Sequence, residues 1–73
     1  MTYRDMFDEV VMSGKYIGSM AKLKALAQLI YNSDYTLEKR DCVWEALEKL
    51  EDMTGHYFDP TKRQFDEILY SII

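Results

Sequence analysis

The amino-acid sequence predicts an all-α fold, a compact bundle of four short helices, and three observations carry that prediction. Apolar residues recur three and four apart in four separate segments. Each segment is bounded by capping or turn residues, and nowhere does a strand-like alternation compete. Short connections suit a helical bundle, and the uneven segment lengths favour orthogonal, globin-like packing over an up-down arrangement. With 73 residues, of which 48% are hydrophobic, residues 1–73 form one domain.

The first helix is expected over about 3–12. Thr2 supplies a cap, Asp5 completes a capping-box pattern, and Tyr3, Met6, Phe7, Val10 and Val11 share a face before Gly14 stops the helix. The second runs over about 20–32 behind a Ser19 cap. Met20, Leu23, Leu26, Ala27, Ile30 and Tyr31 form its apolar face, and Ala25 and Leu29 widen that face around the back. A helix apolar on most sides belongs at the centre, against all the others.

Turn residues Asn32, Ser33 and Asp34 end it. Thr36 is then expected to cap a third helix over about 37–53, closed by Gly55. Asp59 and Pro60 read as the cap and first residue of a fourth helix over about 60–72, with Phe65, Ile68, Leu69 and Ile72 on its apolar face.

Catalytic chemistry finds little to work with. The single histidine, His56, follows a helix-ending glycine beside Tyr57 and Phe58, where capping and packing are its ordinary roles. The single cysteine, Cys42, sits mid-helix beside Asp41, and a neighbouring negative charge raises a thiol pKa instead of activating it. Paired cysteines, a histidine pair and a calcium-loop pattern are lacking, and the glycines are scattered. The sequence therefore predicts no enzyme, no cofactor and no metal site.

Thirteen acids against nine bases leave a net charge of −4. That balance disfavours direct nucleic-acid binding, which needs Lys and Arg to displace counterions. A helix-turn-helix drawn through the second and third helices would put the acidic one on the phosphates. Lys15, Lys22, Lys24, Lys62 and Arg63 could at most form a small basic patch. No apolar run is long enough for a membrane span, and the acidic N-terminal stretch does not resemble a secretion signal. With one unpaired cysteine, a cytoplasmic location is expected.

The most ordered signal is on the third helix. Glu38, Asp41, Glu45, Glu48 and Asp52 are spaced three and four apart. At about 100° per residue they fall within an arc of about 80°. Val43, Ala46, Leu47, Leu50 and Met53 take the opposite side. Like charges at this spacing disfavour the helix by a few tenths of a kcal/mol per pair, so folding does not call for the ridge. It reads either as a solvated face or as a binding face. Trp44 lies beside the acids with Leu37 on the same flank, as an interface anchor or as packing under a neighbouring helix.

These features point to a non-enzymatic regulator or inhibitor. Its partner-binding residues would be Glu38, Asp41, Glu45, Glu48, Asp52, Trp44 and Leu37, set against a basic and even nucleic-acid-binding surface of a larger protein. Genome economy makes such compact acidic proteins suitable for a phage or mobile element that must block a host factor such as a defence nuclease. Two alternatives stand beside it. One is a self-associating assembly subunit or homodimer, suggested by Tyr16, Tyr35, Tyr57 and Tyr70 near loops and ends and by the apolar segment Leu69–Ile73. The other is an indirect modulator of a DNA-binding partner.

Overall fold

Why four helices form, and where each begins, follows from which local hydrogen bonds win at their ends. The computed structural model describes residues 2–34 and 36–73. Tyr35, which the sequence sets near a loop, lies outside the described residues. Helix α1 spans Tyr3–Phe7 and continues through a wider π-helical segment, Asp8–Met12. Helices α2 (Ser19–Ser33), α3 (Lys39–Thr54) and α4 (Lys62–Ser71) follow, and among the described residues there is no strand.

The α1 cap forms as the sequence indicates. Thr2 Oγ1 accepts from Asp5 N–H and Asp5 Oδ2 accepts from Thr2 N–H, each at 3.2 Å. That backbone donor holds the Asp5 carboxyl below its ordinary range.

The other three starts differ from expectation by one to two residues. Ser19 is the first residue of α2, and Gly18 takes the cap position at φ 90°, a conformation open to glycine and strained for other residues. Thr36 does not cap α3. Its hydroxyl donates to Asp34 Oδ1 at 2.6 Å, and its N–H donates to the same oxygen at 2.9 Å. The helix then starts at Lys39 with Glu38 in the cap position. Asp59 does not cap α4 either. Thr61 and Gln64 form a reciprocal capping box, with N–H bonds of 2.9 and 3.2 Å. A box satisfies two helix-end donors, where an Asp59 cap would satisfy one.

Helix α2 occupies the centre and contacts α1, α3 and α4. Leu23, Leu26, Ala27 and Ile30 are buried against Met6 and Val10 of the first element, Cys42, Val43, Ala46 and Leu50 of α3, and Phe65, Ile68 and Ile72 from the last. Among the described residues no polar side chain is buried. The radius of gyration, 11.0 Å, matches the roughly 11 Å of a folded chain this long.

Helix α4 is tied to α2 at its middle and just beyond its C-terminal end. Lys24 Nζ lies 3.2 Å from Glu67 Oε2. The Ile73 N–H donates to Gln28 Oε1 at 2.8 Å, and Gln28 Nε2 donates back to the Ile73 carbonyl at 3.3 Å. The apolar C-terminal segment is thus divided, with Ile72 tucked into the core and Tyr70 and Ile73 exposed. No described helix is long and apolar enough to cross a membrane.

The two competing starts of α4 separate by mutation. Thr61→Ala should lower unfolding stability by about 0.5–2 kcal/mol, read as a shifted urea midpoint. Asp59→Ala should change it by less than about 0.5 kcal/mol.

Candidate binding face on helix 3

Helix α3 presents two sides of opposite character. Cys42, Val43, Ala46 and Leu50 are buried, while Asp41, Glu48 and Asp52 on the far side are exposed. Glu45 belongs to the same row but is half-buried, and the Tyr3 hydroxyl donates to its Oε2 at 3.5 Å. Lys49 Nζ sits 5.0 Å from the centre of the Tyr3 ring. This flank of the ridge is therefore pinned to α1. Burial, and then the Glu45 charge, push the Tyr3 hydroxyl pKa up.

Two residues of the expected face sit elsewhere. Glu38 is exposed but precedes the helix in extended backbone, so the helical ridge runs from Asp41 to Asp52, about 16 Å of axis. Leu37 is half-buried and packs against the core, so it is not part of the open face. Met53, expected inside, is partly exposed at the margin.

Trp44 is packed on a neighbouring helix and exposed at the same time. Its ring packs on Phe65 of α4, with centroids 4.9 Å apart and planes tilted by 46°. It nevertheless leaves 56% of its surface open. The Arg40 guanidinium lies 5.7 Å from the centre of the same Phe65 ring. Tilted aromatic pairs and cations over ring faces are each favourable by about 0.5–1.5 kcal/mol. Trp44 is therefore an exposed apolar side chain held in place.

Two grooves meet at Trp44, and their other walls could not be read from periodicity. On one side a groove of about 380 Å³ runs between Trp44, Phe65 and Tyr70, and Arg40, Lys62, Asp59 and Asp66 also line it. On the other, a groove of about 220 Å³ opens against the chain that connects α3 to α4. Tyr57, Pro60 and Tyr70 join the face this way. Exposed aromatics near helix ends were the available signal, without their location.

Charge pairing is uneven across the molecule. Both ion pairs among the described residues lie away from the ridge, Lys24 with Glu67 and Lys62 with Asp66. Two of the five bases in the expected basic patch are thereby matched by acids. No ridge carboxylate pairs with a base within the described residues.

Cys42 is fully buried, and burial first, then Asp41, raises its thiol pKa. His56 is exposed, and its backbone N–H donates to Thr54 Oγ1 at 3.3 Å. Among the described residues no group of three His, Cys, Asp or Glu side chains is placed to hold a metal ion. Compared with protein-family models, with curated proteins and with solved structures, the chain has no match.

The local potential at Trp44 can be read directly, because it is the only tryptophan. Relative to free N-acetyltryptophanamide, caesium should quench its emission more effectively than iodide at low ionic strength. The difference should shrink as salt rises toward about 1 M, where the screening length is near 3 Å. Equal relative quenching at low salt would mean that the carboxylates do not dominate there.

Proposed function

We propose that this chain is a non-catalytic protein-binding regulator or inhibitor that sets the outer face of α3 on a basic surface of a larger protein. One observation carries the proposal. Exposed carboxylates that pair with no base among the described residues lie alongside an open tryptophan whose ring packs on Phe65. Charges of one sign attract and orient a partner of the other sign, and a fixed aromatic beside them contributes contact area at little entropic cost.

A nucleic-acid-binding protein is the partner that suits this face best. Along α3 the exposed carboxylates Asp41, Glu48 and Asp52 fall about 10.5 and 6 Å apart on the axis, with the half-buried Glu45 between the first two, against about one phosphate per 3.4 Å along a DNA strand. The density is lower but of the same order, and a rigid helix holds it in a line. A surface built to track phosphates would accept such a row, and its occupation would block nucleic acid. An antagonist of this kind, carried by a phage or mobile element against a host factor such as a defence nuclease, is the sharpest form of the proposal.

The test uses two of the three exposed ridge positions, Asp41 and Glu48. Glu45 is avoided because its reversal would also disturb Tyr3. Immobilised wild type should recover a basic protein at low salt and lose it as salt rises. Asp41→Lys, Glu48→Lys should recover at least tenfold less, a loss of about 1.4 kcal/mol. Adding free wild type should displace nucleic acid from the recovered protein. Equal recovery by the variant would contradict the proposal.

A further inference from the structure

Helix α3 ends at Gly55, whose left-handed φ of 74° reverses the chain while its N–H bonds the Glu51 carbonyl at 2.8 Å. The connection to α4 then flanks the helix it has just left. Trp44, Leu47, Glu48 and Glu51 follow at i, i+3, i+4 and i+7, which places them on one face of α3. Between that face and the connection lies the groove of about 220 Å³. Its rim carries Trp44, Tyr57 and Pro60 as apolar walls and Glu48, Glu51 and Asp59 as carboxylates. Leu47 and Phe58, half-buried and packed on the core, complete its lining.

The groove differs from its neighbour in charge. No Lys, Arg or His lines it. Within the described residues its three carboxylates make no ion pair and no side-chain hydrogen bond. The 380 Å³ groove across Trp44 shares Asp59 with it but is also lined by Arg40 and Lys62. The smaller groove is too confined for a helix, which measures about 10 Å across, and it suits one extended side chain.

Resting on the acidic-face proposal, we infer that this groove receives a single arginine side chain from the basic partner. The guanidinium lies against the Trp44 indole, with its N–H groups toward Glu48, Glu51 and Asp59. Arginine fits better than lysine for physical reasons. Its guanidinium is flat, stacks on aromatic faces, is weakly hydrated and offers five donors in a fork, whereas an ammonium is a strongly hydrated point charge. The acidic ridge supplies attraction at a distance, and the groove supplies residue selectivity.

Titration of Trp44 fluorescence tests this, with acetylated, amidated hexaarginine and hexalysine as probes of equal charge. Three proteins are compared: wild type, Glu51→Gln with Asp59→Asn in the groove, and Glu38→Gln with Asp41→Asn outside it. Each variant removes two negative charges, so the long-range field changes alike and position alone differs. Hexaarginine should shift wild-type emission saturably and bind at least threefold more tightly than hexalysine, as stacking and bidentate pairing imply. The groove variant should weaken hexaarginine about tenfold and the outer variant less than about threefold. Equal affinities for the two peptides, equal losses in the two variants, or an unmoved Trp44 signal would overturn the arginine groove. Labelled hexaarginine that binds with salt sensitivity while Trp44 stays silent would overturn the groove alone and leave the acidic face standing. The acidic-face proposal fails separately, if reversing Asp41 and Glu48 leaves partner recovery unchanged.

Discussion

A chain of 73 residues cannot give each pair of helices a core of its own, so one helix has to be buried against all the others. Helix α2 meets that constraint through Leu23, Leu26, Ala27 and Ile30, four buried residues over little more than two turns. Everything peripheral then needs only one apolar side. Helix α3 contributes Cys42, Val43, Ala46 and Leu50 on that side, and α4 contributes Phe65 and Ile68. Burial at roughly 25 cal/mol per Å² of apolar surface is the main favourable contribution available. Small domains retain only a few kcal/mol after chain entropy is subtracted. The far sides of the outer helices are consequently free of packing duty.

That freedom is where the charge pattern of α3 becomes informative. Like charges three and four apart destabilise the helix slightly, and no base within the described residues pairs with Asp41, Glu48 or Asp52. Lys24, by contrast, reaches across to Glu67. The chain thus contains a cross-helix ion pair, but not at the ridge. Trp44 shows the same division between packing and exposure. Phe65 fixes the indole on one side, and the remaining surface opens on two grooves that differ in charge.

The helices were legible because their apolar spacing is long and regular, and the central place of α2 followed from the width of its apolar face. Their starts were less legible because several residues competed for each one. Asp34 captures the Thr36 hydroxyl, which removes the cap that the sequence offers α3. For α4, the Asp59-Pro60 pair is a familiar start. The Thr-x-x-Gln pattern at Thr61 and Gln64, two residues on, satisfies twice as many donors. The outward direction of Asp41, Glu48 and Asp52 could be read from helical geometry. The half-buried state of Glu45 could not, because it depends on Tyr3 arriving from α1, 42 positions away in sequence. The groove beside Trp44 was hidden for a similar reason. Its second wall is an irregular connection without periodicity, and the fold alone brings it beside α3.

The working surface can be located directly by titrating a recovered basic partner into ¹⁵N-labelled protein and mapping the amide and indole signals that move. The largest changes are expected at the Trp44 indole N–H and at Asp41, Glu48, Glu51 and Asp52, with α2 little affected. Changes concentrated at Met12–Ile17 or Tyr70–Ile73, with the Trp44 indole unmoved, would contradict the acidic-face proposal.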